Sequence, residues 1–307
     1  MIGAALLAAA APAAEAQRDR DEYAARVDTT VAFSRGGTVE LQLVNGEIIV
    51  NGWSRDQVRI RATSERSGLR LDASSGFITL GLRSGAGHSG DTRFEVTVPV
   101  GTRVRANTTS GDIRITGSKG DVDARTQRGD VALEDVGSNV EVSAFSGDVD
   151  VTSVAGNLRV SVLSGDVQVR GVGGDVEVKT VSGEIDVRDA RSRFVRASST
   201  SGDITFEGVI DANGRYELET HSGDVDLTLP SSVGALLTVS TYSGGIESEF
   251  PLVLLPGTQG DSKRFNFTLG RGGARITAES FSGDINIRSR GATGTRDGND
   301  RIGERDR

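Results

Sequence analysis

Along most of this chain apolar residues fall on every second position, in short runs cut by Gly. Val149 and Val151 flank Asp150, Val167 and Val169 flank Gln168, and Ile185 and Val187 flank Asp186. Alternation with a period of two predicts short β-strands that bury one face. Each run follows a Gly, with its first apolar residue two positions on (Ile113, Val131, Val149, Val167, Ile185, Ile204, Val225, Ile246, Ile285). A second run precedes the same Gly. Seven positions before it stand Val104, Val122, Val140, Leu158, Val176, Val195, Tyr216, Leu237 and Ile276, and five before it Ala106, Ala124, Val142, Val160, Val178, Ala197, Leu218, Val239 and Ala278. Two strands therefore meet at each Gly.

The Gly is the centre of a repeated Ser-Gly-Asp triplet. Gly111, Gly129, Gly147, Gly165 and Gly183 are spaced by 18 residues, and Gly202, Gly223, Gly244 and Gly283 follow at wider intervals. The residues after them are Asp112, Asp130, Asp148, Asp166, Glu184, Asp203, Asp224, Gly245 and Asp284. Gly takes a positive φ without steric cost, and Asp bonds nearby backbone amides, so the triplet predicts a corner. Gly120-Asp121, Gly156-Asn157 and Gly174-Asp175 mark a weaker second corner midway. One such unit cannot bury its own apolar face, so successive turns must stack. The expectation is an all-β, single-stranded parallel β-solenoid (β-helix) of about ten turns with an 18-residue repeat.

The register reaches back past Gly46, with Val39 and Leu41 before it and Ile48 and Val50 after it. Gly76, between Leu69 and Leu71 and Ile78 and Leu80, reads as a further corner. The solenoid is thus expected over residues 35–290, after an N-terminal linker at 17–34, with a long loop at Arg83 to Asp91. Residues 291–307 are polar and aperiodic and read as a disordered tail. Residues 1–16 carry an apolar Ala-Leu run ending in Ala14-Glu15-Ala16, a small-x-small site, and read as a signal peptide. That predicts export to the periplasm, cell surface or exterior, and no later stretch of the mature chain is long and apolar enough to span a bilayer.

Composition agrees with a narrow β-branched core. Of 307 residues 41 are Gly, and aromatics make up 5%. The net charge of −8 argues against nucleic acid as a partner. Cys is absent, which removes disulfides, thiolate chemistry and Cys-held zinc.

The S-G-D-[VI]-x-[VI] repeats, with V-E-L-Q-L-V-N-G-E-I-I-V-N-G-W at Val39–Trp53 and F-E-V-T-V-P-V-G-T-R-V-R-A-N-T-T-S-G-D-I at Phe94–Ile113, resemble a bacterial putative-adhesin family of unknown function. The resemblance covers about residues 35–290 and implies an exported cell-envelope β-solenoid. It brings no catalytic residues. Arg128 departs from Ser at its corner, and Gly245 departs from Asp.

Candidate chemistry is sparse. His88 and His221 are the two histidines; His221 holds a repeat position filled elsewhere by Phe, Leu or Val, and neither lies in a catalytic motif. The corner carboxylates should stack turn over turn, which favours proton sharing or a cation. A Ser-Gly-Asp turn, however, is too short to wrap the six to eight oxygens that calcium takes, so turn capping is the assigned role. Arg128-Gly129-Asp130 is in register with the other corners and reads as one of them. No metal or other cofactor is expected, and no catalysis.

One column does not fit a solvated face. Two positions before the corner Gly, where the alternation points outward, stand Phe145, Leu163 and Val181, and later His221, Tyr242 and Phe281. Outward apolar residues one strand spacing apart make a stripe, and such stripes mark contact surfaces. A protein or glycan partner is expected there, unless a segment such as Leu252–Leu255 folds over it. The reading is a binding or adhesion-like module. A polysaccharide-acting β-helix enzyme would need a singular acidic cluster in a groove, and a purely structural spacer would need no ligand.

Overall fold

The computed structural model describes residues 25–83, 91–251 and 263–290. The expected signal peptide, the polar tail, most of the Arg83–Asp91 loop with His88, and Leu252–Leu255 lie outside the described residues. Those described form an all-β, mostly parallel, solenoid-like arrangement without helix.

The regular part has two ladders. The first is β8 (Lys119–Arg128), β10 (Val140–Ser146), β12 (Leu158–Ser164), β14 (Val176–Ser182), β16 (Phe194–Ser201) and β18 (Arg215–Ser222). The second is β9 (Val131–Val136), β11 (Val149–Val154), β13 (Val167–Val172), β15 (Ile185–Ala190), β17 (Ile204–Gly208) and β19 (Val225–Pro230). In the first, Val122, Val140, Leu158, Val176, Val195 and Tyr216 pair in sequence. In the second, Val131, Val149, Val167, Ile185, Ile204 and Val225 do the same. Every residue in both lists is buried, so the core is one continuous column of mostly β-branched side chains between the ladders.

The corner between the ladders needs glycine for two separate reasons. Gly129, Gly147, Gly165, Gly183, Gly202, Gly223 and Gly283 have φ from 131 to 156°. A Cβ on any of them would also lie 2.0–2.3 Å from the carbonyl oxygen of the corner Gly in the adjacent rung. The Asp that follows bonds outside its own turn. Asp112, Asp130, Asp148 and Asp166 each accept, through Oδ1, the backbone N–H of the corresponding residue 18 positions on, at 2.9 Å. The run resumes from Asp203 to Asp224, Asp284 and Gly245. The second corner repeats the device with Asp121, Asn139 and Asn157, each accepting the amide of the next rung. A third column at Gly117, Asp135, Ser153, Gly171 and Asp189 is left-handed, with φ of 52–68°. It sets the following Val136, Val154, Val172 and Ala190 inward.

Four expectations are corrected. Residues 25–32, placed in the linker, form β1 (Ala25–Ala32), which pairs antiparallel with β3 (Gln57–Ser64). Its alternation of Ala25, Val27, Thr29 and Val31 is the period-two signal on a strand too polar to stand out. Second, the solenoid is not parallel throughout: β3 pairs antiparallel with β6 (Thr92–Pro99), and β4 (Leu69–Ala73) with β5 (Phe77–Leu82). These strands lie at one end of the stack, where the open edge of a parallel ladder must be covered.

Third, Gly76 is no corner. It sits in the β4–β5 hairpin, and Ile78 and Leu80 stack on Val39 and Leu41 of β2 (Thr38–Trp53). Residues after Gly76 thus meet residues before Gly46, the reverse of the repeat register. Gly46 itself is in register: β2 runs through it alongside β7 (Thr102–Thr116), with Gly46 opposite Gly111.

Fourth, the far end is not stacked in chain order. β20 (Ala235–Ser243) and β21 (Ile246–Ser248) do not follow β18 and β19. The last described strands, β23 (Ala274–Ser282) and β24 (Ile285–Arg290), slot between them. The corner order in space is Gly223, Gly283, Gly244. β22 (Lys263–Leu269) then pairs antiparallel along the outer edge of β20.

Candidate functional site

The stripe residues point out of the first ladder, as the alternation requires. Phe145 is 62% exposed and Tyr242 63%, and Leu163, Val181 and Phe281 are exposed as well. Their chain neighbours Ala144, Val162 and Thr180 are buried. Val44 continues the line at the near end, followed by Thr109 and Gln127, and Thr200 interrupts it between Val181 and His221. Beside Phe145 and Leu163 lies an open groove of about 720 Å³, walled also by Gln42, Val44 and Gln127.

The non-sequential stacking decides which rings touch. Because β23 lies between β18 and β20, Phe281 lies between His221 and Tyr242. Its ring is 4.7 Å from His221 at an interplanar angle of 14°, and 4.9 Å from Tyr242 at 4°. Three residues far apart in sequence become one aromatic stack. Sequence order suggested a row His221, Tyr242, Phe281; the inserted strand makes Phe281 the middle member.

Three residues on from the stripe in each rung runs the corner row: Asp112, Asp130, Asp148, Asp166, Glu184, Asp203, Asp224 and Asp284. Each Asp that accepts an amide is pinned by it, so the row is built into the fold. Arg128-Gly129-Asp130 has the same φ and the same ladder bond as its neighbours, an ordinary corner. Among the described residues, no group of three or more His, Asp or Glu is placed to hold a metal ion.

A second groove, of about 530 Å³, lies along the other corner and is lined by charged residues such as Arg103, Asp121, Arg159 and Glu177. Its charges are largely spent on one another. Arg103 pairs with Asp121 at 3.0 Å, and Arg159 with Glu177 at 2.9 Å. The Ser138 hydroxyl, then Arg103 and the Asn139 amide, hold the Asp121 carboxyl below its ordinary range against partial burial. Lys179 and then Arg159 do the same for Glu177. Such a face spends much of its charge internally, whereas the stripe presents apolar side chains to water.

The family model Toastrack DUF4097 matches residues 46–208 and 138–288. Among solved structures, a putative lipid binding protein from Parabacteroides distasonis is 14% identical, covering 85% of this chain and 96% of that one, with a TM-score of 0.40. A putative adhesin from Bacteroides fragilis is 12% identical, covering 86% and 97%, with a TM-score of 0.35. A putative adhesin from Parabacteroides distasonis is 9% identical, covering 87% and 97%, with a TM-score of 0.35. No curated protein matches the chain.

Proposed function

The chain belongs to the Toastrack DUF4097 family, and from that premise we propose that it is an exported cell-envelope binding module, adhesion-like and without catalysis. Its contact surface is the stripe of Phe145, Leu163, Val181, His221, Phe281 and Tyr242. The observation that carries this reading is the stripe itself: large apolar side chains held outward on successive rungs, on a scaffold whose other outward positions are mostly polar. Apolar surface kept in a line facing water is costly unless something covers it. Export is supported by the Ala-Leu run and the Ala14-Glu15-Ala16 site. The corner carboxylates serve as turn caps in this reading, and the even ladder offers no singular cluster for an enzyme.

The test is the triple variant Phe145→Ser, Leu163→Ser, Val181→Ser, compared with the parent on arrays of glycans and peptides. The variant should keep the parent's circular dichroism and lose binding. Unfolding would make the stripe part of the core, and unchanged binding would place the contact elsewhere.

A further inference from the structure

We infer that the stripe docks an amphipathic α-helix of a partner protein, lying along the stack and basic on the flank that faces the Asp row. The inference rests on the stripe being the contact surface. It is carried by spacing, by ring geometry and by charge.

Rungs of a parallel ladder lie about 4.8 Å apart, so the stripe offers an outward side chain at that interval, apolar or aromatic at every rung from Phe145 to Tyr242 except that of Thr200. A helix with an apolar residue every 3.5 positions, rising 1.5 Å per residue, repeats its contacts about every 5.2 Å. The two rows drift by only about 0.4 Å per rung and stay within half a spacing over about five rungs. An extended strand repeats on one face about every 6.7 Å and slips out of step after two. From Phe145 through Leu163, Val181, Thr200, His221 and Phe281 to Tyr242 the stripe runs six rung spacings, about 29 Å, the length of a helix of about 19 residues.

At the aromatic stack, ring geometry leaves Phe281 no face for a glycan. A sugar laid on an aromatic platform needs a free ring face. Phe281 has one face against His221 and the other against Tyr242, so it presents its edge outward. Edges and methyl groups suit the interdigitating side chains of a helix.

Charge selects the partner's flank. Elsewhere on these rungs many carboxylates have a cationic partner: Asp123 pairs with Arg125, Glu177 with Lys179, Asp186 with Arg188 and Asp226 with Arg288. Among the described residues, none of Asp112, Asp130, Asp148, Asp166, Glu184, Asp203, Asp224 and Asp284 makes an ion pair. An uncompensated acidic row beside an apolar stripe attracts a basic flank and repels a second copy of itself.

The ladder permits a test that removes charge and keeps the fold. Asn139 and Asn157 already accept the next rung's amide as Asp does, at 3.0 and 2.9 Å. The triple variant Asp148→Asn, Asp166→Asn, Asp203→Asn should therefore stay folded. The probe is a synthetic peptide of about 19 residues with Leu at the heptad a and d positions and Lys along one flank; its twin carries Glu in place of Lys. Fluorescence anisotropy with the full mature chain should show binding of the Lys peptide, with a gain in helical circular dichroism, and none of the Glu twin. The Asn variant should weaken that binding about tenfold or more and flatten its salt dependence, and the stripe Ser variant should abolish it. Equal binding of the twins, or an Asn variant that binds like the parent, overturns the inference. So does concentration-dependent dimerisation through the stripe without peptide binding. Stripe-dependent binding of an oligosaccharide and not of the peptide overturns the helix while leaving the stripe as the contact surface.

Discussion

The Oδ1 atom of Asp148 accepts the backbone N–H of Asp166, one rung away, at 2.9 Å. The bond joins rungs by a side chain as well as by the strand ladder, and it fixes what the Asp is for. Asp148→Ala should cost on the order of 1 kcal/mol, the usual worth of one such bond. Asp148→Asn should cost much less, since an Asn side chain keeps the accepting oxygen. Urea unfolding of the two variants checks this, and equal losses would show that charge, not the bond, is what the position supplies.

The two glycine columns predict opposite outcomes for similar changes. Gly165 has φ of 143° and would set a Cβ 2.1 Å from the Gly147 oxygen. Gly165→Ala should destabilise by on the order of 3 kcal/mol, because strain and overlap act together. Gly171 has φ of 68°, and a Cβ there would stand 3.7 Å from its nearest neighbour, the Ser153 backbone nitrogen. Asp135, Ser153 and Asp189 hold the same column. Gly171→Asn should be tolerated, as Asn enters the left-handed region readily. Thermal melts of the pair would separate the columns.

The crossed order of the last rungs can be read chemically, since the chain has no cysteine of its own. Ser222 lies opposite Ser282, and Ser282 opposite Ser243. Neighbouring rungs are about 4.8 Å apart and next-nearest rungs about 9.6 Å, while a disulfide needs Cα atoms within about 6.8 Å. The double variants Ser222→Cys with Ser282→Cys, and Ser243→Cys with Ser282→Cys, should oxidise to intramolecular disulfides. Ser222→Cys with Ser243→Cys should not. Mass spectrometry under mild oxidation decides it, and a bond between positions 222 and 243 would restore sequential stacking.

The corners and the buried columns were legible because they are local: Gly165, Asp166 and Val167 state a bend and the facing of the next strand within three residues. Neighbour identity was not legible. Val225, Ile246 and Ile285 have the same offset from their Gly, so alternation tells which side faces in and not which rung lies alongside. A signal was present at the exceptions. In space the rung of Gly245 and Ser248 lies beyond the last Asp, Asp284, whose Oδ1 accepts the Gly245 amide at 2.7 Å. Among the described residues no further rung follows whose amide a carboxylate at position 245 could accept, so the missing Asp marks an end of the stack. The outward stripe was legible from alternation, and its aromatic stack was not, because it depends on the inserted strand.

Asp121 gives a pH dependence with a definite sign. Its carboxylate accepts hydrogen bonds from the Ser138 hydroxyl first, then Arg103 and the Asn139 amide, and its folded pKa is lowered against the opposing effect of partial burial. A lowered folded pKa means that the unfolded chain takes up the proton more readily. The contribution to stability is therefore present at neutral pH and persists while the pH stays above the unfolded value. It is lost as the pH falls through the lowered folded value. Asp121→Asn cannot show this titration. Melting temperatures of parent and variant should differ most near neutrality and converge as the pH falls through the ordinary carboxylate range and below it, with the parent losing its advantage. Glu177, lowered first by Lys179 and then by Arg159, would act in the same direction, so Glu177→Gln serves as the parallel comparison. A gap between parent and Asp121→Asn that widened on acidification would show that the carboxyl is held protonated, contrary to the bonds it accepts.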